Sequence, residues 1–182
     1  MDLVEHYRRL LSVAQWLDMG LNWTVVQRPD RPVGPEDVAE VVGWSGWEIR
    51  EREVEDGLLF DDSGPSTMLL DTDGGVFSAH EHAPLERLSA GGRVWHVEWD
   101  VNGRAWMLYA ADGHIRLWMH NLDPREVHGP DPHALDHLVH LLPDPFTIAS
   151  RASALALVTM DSGAHLDPEW FELPQREIHP LV

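Results

Sequence analysis

The sequence contains no cysteine and no lysine. The first absence excludes thiol redox catalysis, cysteine-ligated zinc and iron–sulfur clusters. The second excludes Schiff-base catalysis and a P-loop, since all 13 basic residues are arginine. Apolar runs are short, and none approaches the roughly 18 residues of a membrane span. The N-terminus lacks the charged, apolar and small-residue blocks of a secretion signal, so the expected location is the cytoplasm. Positive charge is scarce as well, with 13 basic residues against 31 acidic ones and a net charge of −18. Nucleic acid and anionic membrane both require a basic footprint, so neither is the expected partner. No Gly-x-Ser-x-Gly elbow, Gly-x-Gly-x-x-Gly loop or His-Glu-x-x-His helix is present.

What the chain has in excess is tryptophan, nine residues, and histidine, twelve. Tryptophan brings a large apolar surface and one N–H that needs an acceptor; it is enriched in cores and at interface hot spots. The imidazoles make the net charge sensitive to acid at about pH 6. With 182 residues and 43% hydrophobic content, the chain can bury a core without cross-links.

Spacing predicts helices at both ends. Asp2 and Glu5 have capping-box spacing, and Leu3, Tyr7, Leu10, Ala14 and Leu17 form one apolar stripe that stops at Gly20. Leu21 to Gln27 fits a buried helix or a strand equally. Pro35 opens a short helix with Val38, Val41 and Val42 inward and Gly43 past its end. From Trp47 to His82 short strands and turns are expected, then a helix over Leu85–Ser89. Asp131 and Pro132 begin a helix whose stripe is Leu135, Leu138, Val139 and Leu142. Another helix is expected from Ser150 to Met160, and Asp167-Pro168 starts a last turn of helix. The expected architecture is a single α+β domain over 1–182: helices in 1–43, an antiparallel sheet in 47–120 and helices in 131–172. The sheet is a β-meander packed against the N-terminal and C-terminal helices.

Asn102-Gly103 and Asp112-Gly113 each separate alternating runs, a strong hairpin signal. Reading both as two-residue turns pairs Trp99 with Trp106, Val97 with Leu108 and Trp95 with Ala110. It then pairs Ala110 with Ile115, Leu108 with Leu117 and Trp106 with Met119. The other side of that sheet would carry the rows Glu98–Met107–Trp118 and His96–Tyr109–Arg116. Aromatic residues there imply a covering helix or a partner.

The motifs from Ser66 to Gly92, the Trp95–Asp100 strand with its Asn-Gly turn, and Ala111-Asp112-Gly113 resemble an uncharacterised family of roughly 200-residue actinobacterial proteins, single-domain in size. The stretch Leu155–Glu172 is similar too. The resemblance covers about residues 14–175 and implies an α+β domain. It carries no activity and no catalytic residue, and it does not extend to the acidic segment Glu48–Asp62 or the tail after Leu173.

Three histidine groups have ligand-like spacing. His133, His137 and His140 share one helix face beside Asp136, and His96, Glu98 and Asp100 share one strand face. His80 and His82 would point the same way on a strand. Each is first of all what a solvated face or strand end looks like. No cofactor is the expectation, with zinc or another divalent metal as the alternative. A fourth feature is acidic: Glu48, Glu51, Glu53, Glu55, Asp56, Asp61 and Asp62 follow Trp44 and Trp47. Acid beside aromatic anchors suits capture of a cationic protein. The expected function is therefore a non-enzymatic acidic binding protein, for instance an immunity-type or inhibitory partner of a basic protein. Its expected contact residues are Trp44, Trp47, Glu51, Glu53, Glu55, Met107, Tyr109 and Trp118. The alternatives are a metal-dependent enzyme or metal-binding sensor using the clustered histidines, and a self-associating domain. No oligomeric state is specified.

Overall fold

Leu21–Gln27, the segment that fits helix and strand equally, is strand β1 at the centre of a nine-stranded sheet. Six of its seven residues are buried, because both faces of the sheet are covered. A strand covered on both sides loses the alternation by which a half-exposed strand is recognised. The computed structural model describes residues 2–52, 57–72, 74–139 and 148–181. Among these, the helices are α1 (Leu3–Val13), α2 (Gln15–Met19), α3 (Pro35–Val42), α4 (His82–Leu88), α5 (Asp136–Val139) and α6 (Ile148–Ser162). The other strands are β2 (Trp47–Arg52), β3 (Leu58–Asp61), β4 (Thr67–Asp71), β5 (Arg93–Trp99), β6 (Ala105–Ala111), β7 (His114–His120), β8 (Val127–His128) and β9 (Gln175–Pro180). All pairings are antiparallel, in the order β2-β9-β3-β4-β1-β5-β6-β7-β8. The fold is a single α+β domain with helices on both faces of one sheet.

Local signals explain most helix ends. Asp2 accepts from the amides of Val4 and Glu5, which caps α1. Gly43 ends α3 in the left-handed conformation at φ 79°. Helix α6 buries Ala152 and every residue from Ala154 to Val158, so it is apolar nearly all round. It packs on α1 and on one sheet face, against Tyr7, Leu10, Trp23, Trp95, Val97, Met107, Tyr109, Leu117 and Met119. Burial pushes the Tyr7 phenol up to about 12, so its hydroxyl stays protonated beside Thr159. Helices α3 and α4 cover the opposite face through Val38, Val41, Leu85 and Leu88, against Val26, Val94, Leu108 and Ile115.

The hairpin register departs from the sequence expectation in two places. In the first hairpin, Asp100 Oδ1 accepts from the amides of Asn102 and Arg104, and Gly103 takes φ 78°. The loop therefore has three residues, Val101–Gly103, and pairs Trp99 with Ala105 and Val97 with Met107. The second hairpin is the expected two-residue turn, with Asp112 at φ 53° and Gly113 at φ 81°, and Ala110 faces Ile115. A bulge between Tyr109 and Ala110 then shifts the remainder, so Leu108 faces Trp118 and Trp106 faces His120. Because side chains alternate with period two, each one-residue slip exchanges faces. Met107 and Tyr109 thus lie under α1 and α6, 0% and 9% exposed, while Trp118 lies on the opposite face.

Other differences are local. His80 sits in a turn and His82 opens α4, so they do not alternate on a strand. After Asp131 the described residues up to 139 form turns and then helix over Asp136–Val139, and Leu142 of the predicted stripe lies outside the described residues. The tail after Leu173 forms β9, which inserts between β2 and β3.

Candidate functional site

The sheet's true register creates a polar row across four strands: Asn22 on β1, Glu98 on β5, Trp106 on β6 and His120 on β7. The next row inward is Thr24, His96, Leu108 and Trp118. A cleft of about 580 Å³ opens over the outer row, between α2, the start of β1, the first hairpin loop and the loop after β4. That loop is shaped by Asp71, whose carboxylate accepts from the amides of Gly74 (2.9 Å), Val76 (2.6 Å) and Phe77 (3.3 Å). The turn carries Phe77, Ala79 and His80 back to the sheet. There the Phe77 carbonyl accepts from Asn22 Nδ2, and the Ala79 amide donates to Glu98 Oε2 at 3.2 Å.

Glu98 and His96 form the ionisable heart of the site. His96 is fully buried, with Nε2 3.1 Å from Glu98 Oε2 and Nδ1 2.9 Å from Thr24 Oγ1. Burial pushes the Glu98 carboxyl up. The hydrogen bond and charge of His96, the Ala79 amide and the charge of His80 outweigh that effect and hold it below the usual carboxylate range. Both hydrogen bonds fall on Oε2, so Oε1 has no donor among the described residues. Asn22, 6% exposed, has an Oδ1 that is likewise without a donor.

Apolar side chains form the rim, while Asp71, Thr72, Ser78, His80 and Arg104 share the lining. Trp99 Nε1 donates to the Leu17 carbonyl at 2.7 Å and ties α2 to β5, which sets Trp16 and Met19 at one rim. Val101 stands at the other rim, 78% exposed. The Trp106 ring lies between His80, centroids 4.7 Å apart, and His120, 3.6 Å apart. Asp100 is committed to the loop it caps and to Arg104, at 2.8 Å.

Of the residues singled out in the sequence, Glu98 lines the cleft with His96 buried behind it, and Asp100 lines it while paired to Arg104. His133 is exposed and pairs with Asp136 at 2.8 Å; His137 is exposed, 3.7 Å from Asp161. His140, Glu53 and Glu55 lie outside the described residues. Trp44 and Trp47 are half-buried against the core under α3, and Glu51 is exposed on β2, at the far edge of the sheet. Met107, Tyr109 and Trp118 are divided between the two faces and form no common surface. Asn22 and Trp106 escape sequence reasoning as site residues, and His80 is legible there only as a strand neighbour of His82. Asn22 alone leaves a trace, a polar residue interrupting an apolar run. Compared with family models, curated proteins and solved structures, the chain matches none.

Proposed function

We propose that this chain is a non-enzymatic acidic binding protein whose cleft takes an arginine side chain of a basic protein partner. The observation that carries this reading is Glu98 Oε1, a carboxylate oxygen of the cleft lining with no donor among the described residues, below an apolar rim. A guanidinium supplies planar N–H donors to Glu98 Oε1, and its charge suits the carboxylate. The rim residues Trp16, Met19 and Val101, 39%, 58% and 78% exposed, would cover the guest's apolar stem. The net charge of −18 steers a basic protein toward this surface at long range. An immunity-type or inhibitory partner is the form this takes when the captured protein is a basic enzyme.

Nucleophilic catalysis fits the same residues poorly. In the Thr24–His96–Glu98 chain the hydroxyl is deepest and fully buried, and the carboxylate faces the cleft. A hydroxyl nucleophile has to reach its substrate, which Thr24 cannot do. The chain instead holds Glu98 in place.

The test is a titration with an oligo-arginine peptide, followed by tryptophan fluorescence and calorimetry. Saturable binding is expected, weakened by salt. Glu98→Gln should weaken it by roughly 10- to 100-fold, the value of a charge-assisted hydrogen bond of about 1.5–3 kcal/mol. Trp16→Ala, a rim change outside the core, should also weaken it. Absence of saturable binding, or binding equal in wild type and both variants, overturns the reading.

A further inference from the structure

We propose that His6, His165 and Asp167 form a divalent transition-metal site that joins α1 to the segment following α6. The site is separate from the cleft and uses none of the histidine groups legible in the sequence. One ligating atom from each residue lies within 4.8 Å of the others. Asp167 Oδ1 is 3.1 Å from His165 Nε2 and 3.7 Å from His6 Nε2. In tetrahedral coordination with bonds of about 2.0–2.1 Å, neighbouring donors stand about 3.3 Å apart, and in octahedral coordination about 3.0 Å. The two separations from Asp167 are close to that scale. The Leu166 carbonyl, which accepts from His6 Nε2 at 2.9 Å, adds an oxygen at the same distance.

The donors are held from behind. Tyr7, fully buried, pairs its hydroxyl with Thr159 Oγ1 at 2.5 Å, and the Tyr7 hydroxyl oxygen also accepts from the Leu166 amide at 3.3 Å. This fixes the backbone between two of the ligands, while His6 lies next to Tyr7 on α1. The two imidazole rings stack with centroids 4.5 Å apart, which keeps both ring edges turned to one carboxylate. Asp167 precedes the 3-10 turn Pro168–Phe171 without capping it by its side chain, so its carboxylate remains with the imidazoles. Side-chain exposures of 14% for His6, 25% for His165 and 54% for Asp167 leave an approach from solvent.

Two imidazoles with one carboxylate and a carbonyl fill a tetrahedral shell for zinc or cobalt, and leave two octahedral positions for water on iron or manganese. To ligate through Nε2, His6 moves its ring proton to Nδ1 and gives up its bond to Leu166. Both rings must be neutral, so acid competes with the metal.

The experiment uses the full chain stripped of metal and titrated with Co²⁺, then competed with Zn²⁺. The expected result is one equivalent of cobalt with visible ligand-field absorption, displaced by zinc, and a Tm that rises with metal and falls back with chelator. His6→Ala and His165→Ala should each weaken binding by more than about tenfold, by analogy with the loss of even a supporting partner. A His133→Ala/His137→Ala double variant should bind as wild type does. Should a ligand variant fail to fold, Asp167→Asn, at the most exposed position, gives the same readout. The proposal is overturned if no saturable one-to-one binding occurs, or if cobalt binds equally in the folded ligand variants. Oligo-arginine binding by the cleft should not change in any of them, so this result stands apart from the cleft reading.

Discussion

Replacing Thr24 with valine tests whether Thr24, His96 and Glu98 act as one hydrogen-bonded unit. Thr24 is fully buried on β1, with Oγ1 2.9 Å from His96 Nδ1. Valine keeps the β-branched shape, so the change removes a hydroxyl and opens almost no cavity. What it leaves is an imidazole nitrogen without a partner, in a ring that is itself 0% exposed. Stranding a buried polar group costs about 1–3 kcal/mol. In a domain of this size each kcal/mol lowers Tm by about 2–4 °C, so a mid-range loss of ~2 kcal/mol lowers it by about 4–8 °C. Urea unfolding followed by tryptophan fluorescence should show the same loss at an unchanged m-value. His96→Leu strands Thr24 and removes a donor from Glu98, so it should also destabilise. The double variant should then lose less than the sum, with a coupling of at least about 0.5 kcal/mol. A T24V protein as stable as wild type, or strictly additive variants, would refute the reasoning, because His96 Nδ1 would then be satisfied elsewhere.

Two further predictions concern the frame. The Arg31 hydrogen bonds hold the Asp37 carboxyl at about 2 against the cost of burial, aided by the Gly34 amide and Arg28. A carboxyl lowered in the folded state stabilises fully above its unfolded value of about 3.9, and that stability is lost as pH falls through about 2. Arg31 is half-exposed, so the advantage of wild type over Asp37→Asn should be about 1–2 kcal/mol at neutral pH, shrinking between about pH 4 and 2 in acid titration melts. Gly129, at φ 122°, would place a Cβ 2.4 Å from the Arg116 carbonyl, whereas Gly74, at φ 65°, has nothing within 4 Å. Gly129→Ala should therefore cost about 2–4 kcal/mol and Gly74→Ala about 1 kcal/mol, and equal losses in thermal melts would contradict the crowding argument.

The sequence by itself determined what depends on neighbours along the chain. Asp2 and Gly43 announce where α1 begins and α3 ends, because caps satisfy or terminate the adjacent turn. Asp112-Gly113 specifies its two-residue turn because both residues adopt positive φ readily. The antiparallel, two-ended α+β organisation follows from such signals together with the apolar stripes. The shared face of His96 and Glu98 was legible too, since strand period two is local. The first hairpin was misread because Asp100 also caps its own loop, a local bond that outweighed the two-residue turn suggested by Asn102-Gly103.

Tertiary structure decided everything that depends on distant partners. The bulge between Tyr109 and Ala110 shows how one extra residue on β7 moves Trp118 to the face opposite Met107 and Tyr109, a choice that alternation alone cannot make. Strand β9 pairs with β2 and β3, more than a hundred positions earlier, and β1 is covered on both faces by helices from both ends of the chain. The cleft needs Asn22, Phe77 and Glu98 together, and the proposed metal site joins His6 to a segment about 160 positions later. Such contacts form only when the packed core offsets the entropy of closing long loops, and no window of the sequence contains both partners.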